Sequence, residues 1–183
     1  MKIHGHIYTQ QSLFAGPSTH PRLSRFITTY RVALVKDGDL PFEKCRLSSS
    51  QQAQPILKNL VHTYGQSDRE QFCIILLNTK NEITGLNIVS TGSVSSAPVC
   101  PREVLKPAIL ANASALILAH NHPSGDTQPS PEDLSLTEKL VQACHLVGIQ
   151  VHEHLILSMF DDNYYSMADH GVIASIYDNL RDR

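Results

Sequence analysis

The segment that most constrains this chain runs from Ser114 to Asp133, where an apolar run, SALILA, leads into His120-Asn121-His122-Pro123 and then, across a Pro- and Gly-rich stretch, into Ser130-Pro131-Glu132-Asp133. On an extended backbone, residues two apart project to the same side, so a strand ending in His-x-His aims both imidazoles at one point. Seven residues separate His122 from Ser130, with enough Pro and Gly to turn the chain back. Asp133 then falls in the first turn of a helix, where its carboxylate also meets the positive end of the helix dipole. Two His and one Asp are ligands of the hardness that suits Zn²⁺, and three protein ligands leave a fourth position open for water. Taken singly, each piece is ordinary. His-x-His recurs at His4/His6 and at His152/His154, and Ser130-x-x-Asp133 is close to a helix-capping box with Pro131 at the first helical position. The combination of strand, paired His, turning loop and helix start is what points to a metal.

The surrounding pattern supplies the layers. RFITTYRVALV (25–35) reads as a β-rich run, and a polar Ser/Gln cluster at 48–52 precedes a helix over 52–64 with Ile56, Leu57, Leu60 and Val61 at helical spacing. QFCIILLN (71–78) and ITGLNIVS (83–90) flank a turn and read as the two arms of a hairpin. Pro101 opens a helix, PREVLKPAILANA, which Pro107 should kink or shorten. A buried strand over 114–120, a helix over 131–147 closed by Gly148, a strand over 149–158 and a short strand over 163–167 complete the series. Strands interspersed with helices predict an α/β layered domain with a mixed sheet. The expected organisation is a β-containing N-terminal extension (1–50), a main domain (51–175) and a C-terminal tail (176–183).

Composition narrows the function classes. Residues 1–40 hold five basic against two acidic side chains and the remainder ten against fifteen, so no strong basic field marks a nucleic-acid binder. The chain has no Trp for base stacking. Its four cysteines, Cys45, Cys73, Cys100 and Cys144, form no Cys-x-x-Cys, which argues against a thiolate zinc cage or redox motif. Cys73 and Cys144 lie in apolar segments and read as core residues. The first residues lack a continuous apolar h-region, and no apolar stretch nears the length of a membrane span, so the expectation is a cytoplasmic protein with no membrane segment.

The string His-x-His-Pro-x6-Ser-x2-Asp resembles the signature of JAB/MPN metalloproteases, also called JAMM proteins. The wider run from PREVLKPAIL to GIQVHEHLIL is similar to the RadC-like branch of that family, a likeness covering roughly residues 50–175. The resemblance implies a zinc metallohydrolase fold, a mixed sheet flanked by helices. It implies His120, His122 and Asp133 as Zn²⁺ ligands, with Ser130 near the reacting oxygen. It places the general base at Glu70, just upstream of the first core strand, ahead of Glu82, Glu103 and Glu153. The implied reaction is hydrolysis of an amide or isopeptide bond in a peptide or protein by a metal-activated water. The alternative drawn from the same likeness is a DNA-repair or mobile-element protein that acts on or binds nucleic acid. A zinc nucleobase deaminase is excluded, because His-x-Glu and Pro-Cys-x-x-Cys are both absent. Two departures stand out. Glu153-His154 occupies the place where RadC-like proteins usually carry Asp-His, and residues 1–50 do not resemble the helical DNA-binding-like region of longer members.

Overall fold

Two strands with no polar face set the architecture. Gln71–Leu77 (β1) is buried at every position, and Ala115–His122 (β3) at all but the last. Strands buried on both faces occupy the middle of a sheet covered by helices on either side. The computed structural model describes residues 31–42, 46–92 and 99–182. The chain divides into two units, Met1–Arg31 and Val32–Arg183, and all regular structure among the described residues lies in the second.

The elements follow in the order Ser50–Tyr64 (α1), β1, Ile83–Thr91 (β2), Pro101–Leu110 (α2), β3, Pro131–Leu146 (α3), Gln150–Ser158 (β4), Tyr164–Ser166 (β5) and Val172–Arg181 (α4). The five strands form one sheet in the order β2-β1-β3-β4-β5. All neighbours are antiparallel except β3 and β4, which run parallel and are joined through α3. The sheet is therefore mixed, as expected.

Side-chain alternation divides the sheet into two cores. One face carries Cys73, Ile75, Ala115, Ile117, Leu155 and Leu157, covered by Ala53, Leu57, Leu60 and Val61 of α1. The other carries Phe72, Ile74, Leu116, Leu118 and Ile156, covered by α2, α3 and α4 through Val104, Ala108, Leu140, Val141, Ile173 and Ile176. The α1 residues recur at i, i+4, i+7 and i+8, the spacing of one helical stripe. Burial without a charged partner pushes the Cys73 thiol up to about 12 and the Cys144 thiol up to about 11, in keeping with core roles.

Several boundaries differ from expectation. Ser49 caps α1, accepting from the Gln52 amide, so the helix starts at Ser50. Pro107 sits inside α2, which stops three residues later at Leu110. Gly148, at φ +76°, takes the left-handed conformation after α3 that glycine adopts without penalty. In the β-rich run 25–35, residues 25–30 lie outside the described residues and 31–35 form no strand. Ahead of α1, Leu47 is buried and Arg46 forms an isolated antiparallel bridge with Glu82. An end at 175 falls inside α4, whose Ile176 reaches the core. No helix among the described residues is long and apolar enough to cross a membrane.

Candidate metal centre

Strand β3 delivers His120 and His122 from its last three positions, both toward the α3 side by the alternation of the strand. Asp133 meets them from the third position of α3. His120 Nε2 lies 3.1 Å from His122 Nε2 and 3.2 Å from Asp133 Oδ1, and His122 Nε2 lies 3.6 Å from Asp133 Oδ2. Among the described residues these three form a group whose donor atoms all lie within 4.8 Å of one another. The group could hold a metal ion.

Each ligand atom is aimed by a contact on its far side. His122 Nδ1 stands 2.6 Å from the carbonyl of Asp126, which can only accept, so Nδ1 carries a proton and Nε2 is the atom turned toward His120 and Asp133. That carbonyl is presented by a loop in which Gly125 has φ +82° and a Cβ would lie 2.9 Å from the ring of Phe160, so a side chain there would meet both backbone strain and an aromatic wall. His120 Nδ1 stands 2.9 Å from His154 Nε2, and His154 Nδ1 stands 2.6 Å from the Thr137 hydroxyl. Phe72 stacks along His120 and meets His154 edge-on, closing the site from the β1 side.

Asp133 is the residue on which both readings of the sequence converge. Ser130 is the N-cap of α3: its hydroxyl accepts from the Asp133 amide at 3.1 Å and donates to Asp133 Oδ2 at 2.7 Å, while its own amide donates to the same oxygen at 2.8 Å. The capping box is complete, and the same carboxylate faces the two His. Burial alone would raise its pKa. The close contacts to His120 and His122, with the Ser130 hydroxyl, outweigh it and hold the group far below the usual carboxylate range. His122 is raised, by its hydrogen bond to Asp133 first, against the desolvation that lowers it. His154 is lowered well below 6.5, by complete burial first.

The candidate acids separate cleanly. Phe72 pairs with His120 across the β1–β3 ladder, and the Gln71 amide donates to the Asn121 side chain, so the same register brings Glu70 abreast of His122. Its negative charge contributes to raising His122. Asn121, fully buried between the two His, holds the backbone on both sides of Glu70: its carbonyl accepts from Gln71 and its amide donates to the Arg69 carbonyl at 2.9 Å. Glu103 instead pairs with Lys106 in the exposed first turn of α2, and Glu82 accepts from Asn78 in the β1–β2 turn, at the opposite end of β1. Glu153 is buried on the α1 face, where it accepts from Ser50, Ser166 and the Ala168 amide. It does not reach His120, so its length relative to the family's usual Asp is absorbed away from the metal group.

Of the other His pairs, His4 and His6 lie outside the described residues, and His152 bonds to Asn81 at the far end of the sheet. His154, Thr137 and Asn121 are the site residues whose contacts the sequence did not disclose.

A family model described as the RadC-like JAB domain matches residues 47–172. The UPF0758 proteins of Rubrobacter xylanophilus and Moorella thermoacetica are each 47% identical to this chain over 106 residues, 58% of this chain and 45% of either relative. The UPF0758 protein YfjY of Escherichia coli is 48% identical over 106 residues, 58% of this chain and 65% of that protein. The chain thus matches about half the length of the first two relatives, and somewhat more of the third.

Proposed function

The chain belongs to the RadC-like JAB domain family, and we propose that it is a zinc-dependent hydrolase that opens amide or isopeptide bonds with water. The observation that carries this reading is the convergence of two imidazole nitrogens and a carboxylate, with the far nitrogen of each imidazole already occupied. Three electron-pair donors at such separations repel one another unless a cation or a proton lies among them. A tetrahedral ion with bonds of about 2.0–2.2 Å has ligand–ligand edges of about 3.3–3.6 Å. The 3.1 Å between the two His nitrogens and the 3.2 Å from His120 to Asp133 Oδ1 agree with that to within a few tenths of an ångström, and the second carboxylate oxygen lies 3.6 Å from His122. The donor set, two nitrogens and one carboxylate, fits zinc with a position left for a reactant, the pattern of catalytic rather than structural zinc.

When bound, zinc would supply a Lewis acid that makes water more acidic and polarises a substrate carbonyl. Glu70 then takes the proton of the attacking water and passes it to the departing amine, first base and then acid. Asn121 keeps the backbone of that base in register with the ligand strand. Ser130 turns its hydroxyl proton from Asp133 Oδ2 to the developing oxyanion, and Asp133 retains the Ser130 amide as a donor. The loss of such an oxyanion donor typically costs on the order of 3 kcal/mol of transition-state stabilisation. The substrate on this reading is a peptide or protein.

The test is a screen of the zinc-loaded protein against peptide, isopeptide and nucleic-acid substrates, followed by Glu70→Gln on whichever is cleaved. The expected result is amide or isopeptide cleavage, reduced by about two to four orders of magnitude in Glu70→Gln with zinc retained, and unaffected by Glu103→Gln. Cleavage of nucleic acid alone would replace this reading with the nucleic-acid one. Wild-type turnover in Glu70→Gln would remove Glu70 as the base.

A further inference from the structure

We propose that His154, held by Thr137, fixes the tautomer of His120 and so makes Nε2 its metal-binding atom. The proposal rests on the reading of His120 as a ligand and adds two positioning residues to it. Thr137 Oγ1 has three polar neighbours: the Asp133 carbonyl at 2.6 Å, Met167 Sδ at 3.1 Å and His154 Nδ1 at 2.6 Å. A carbonyl and a thioether can only accept. The separation from the carbonyl requires a proton between the two oxygens, and the hydroxyl has just one. Oγ1 therefore donates to Asp133 and accepts from His154, whose proton must sit on Nδ1.

The order then propagates. His154 is completely buried and its ring nitrogens meet a hydroxyl and an imidazole rather than a carboxylate, an environment that holds the uncharged ring; its Nε2 then carries a lone pair, 2.9 Å from His120 Nδ1. Two facing lone pairs at that distance would repel, so His120 supplies the proton from Nδ1. Its Nε2 is left bare, directed at His122 and Asp133. The chain of donors starts on a metal ligand, crosses from β3 to β4 and α3, and ends on the backbone carbonyl of Asp133, another ligand residue. It ties the tautomer of one ligand to the first turn of the helix that presents the other. Phe72, packed on both rings, keeps water from supplying an alternative partner.

The arrangement makes Thr137→Val the informative change, since valine keeps the shape and removes the acceptor. His154 then has no partner for an Nδ1 proton. Moving it to Nε2 points it at His120 Nδ1 and drives the His120 proton onto Nε2, the wrong nitrogen for binding. Zinc binding must then reverse both tautomers. His154→Leu removes the acceptor for His120 altogether, whereas His154→Gln offers an amide oxygen to His120 and an amide N–H to Thr137.

The experiment is ¹⁵N–¹H correlation NMR of the histidine rings in chelator-treated protein, paired with zinc affinity by competition against a chromogenic chelator in variants that retain the wild-type circular dichroism. The expected result is Nδ1–H for both His120 and His154 in wild type, inverted tautomers in Thr137→Val, and zinc affinity lowered about 10- to 100-fold in Thr137→Val and His154→Leu. His154→Gln should recover most of that affinity. An Nε2–H tautomer of His120 in wild type, or unchanged affinity in a folded His154→Leu, overturns the proposal. Wild-type protein that shows the expected tautomers but binds no zinc contradicts the metal reading and leaves the tautomer assignment standing.

Discussion

Glu153→Ala should destabilise the protein strongly and leave the metal group untouched, even though residue 153 adjoins His154. The reason is strand alternation: Glu153 faces α1 while His154 faces α3. The carboxylate accepts from Ser50 Oγ, Ser166 Oγ, the Ala168 amide at 3.0 Å and the His154 amide at 2.7 Å. Truncation leaves two N–H groups without an acceptor, that of His154 buried and that of Ala168 part-buried. The two hydroxyls, 3.1 Å apart, can turn to each other and satisfy one of their protons. A buried donor left unsatisfied costs about 1–3 kcal/mol. Three of them, taken at the low end, give about 3 kcal/mol. At about 2–4 °C per kcal/mol for a chain of this size, Tm should fall by roughly 6–12 °C. Glu153→Gln retains an acceptor and should lose about a third of that. The assay is thermal unfolding followed by circular dichroism, with zinc affinity measured at a temperature where both proteins are folded. Unchanged Tm together with a tenfold loss of zinc affinity would refute the two-faced assignment and bring Glu153 into the metal group.

Two further outcomes follow from the same geometry. His122, raised in the folded state, contributes stability below its ordinary value of 6.5 that is lost as pH rises through its higher folded value, whereas His154 and His152, both lowered by burial, contribute stability that is lost as pH falls below 6.5. Chelator-treated protein should therefore show a Tm that falls on both sides of near-neutral pH, with the alkaline fall abolished in His122→Ala; an alkaline fall unchanged by that substitution would exclude His122 as its source. Asn121→Ala should release the backbone on both sides of Glu70 at a cost of about 2 kcal/mol for two buried hydrogen bonds, seen as faster hydrogen exchange at the Gln71 amide with zinc retained, and undiminished protection there would argue against the clamp.

The convergence of His120, His122 and Asp133 was legible because it uses local periodicities. Period two put His120 and His122 on one side of β3, and the capping signature placed Asp133 in the first turn of α3. Ser130 and Asp133 did not have to be assigned to either capping or ligation, since one carboxylate oxygen accepts the cap while the pair faces the His. What escaped depends on which strand lies beside which. His154 looks like half of a chance His-x-His until β4 is set parallel to β3. A register irregularity between Leu116 and Ile117 then turns Glu153 toward α1 and His154 toward the site. Asn121 is equally silent in sequence, because its partners lie about fifty positions upstream. Helix α4 was absent from the expected elements. It starts at Gly171, φ +76°, with no side-chain cap, so the usual start signal is missing although Ile173 and Ile176 are spaced for a buried stripe.

The account stands most directly on the zinc content of the purified protein and of His122→Ala, measured by elemental analysis after identical growth and dialysis. His122 contributes one of the three converging donor atoms, and it lies at the half-buried edge of the group, where truncation opens no core cavity. The account predicts close to one zinc per chain in the wild type and little in the variant, with both proteins folded. Equal zinc in the two would remove His122 from the metal and contradict the site as built from His120, His122 and Asp133.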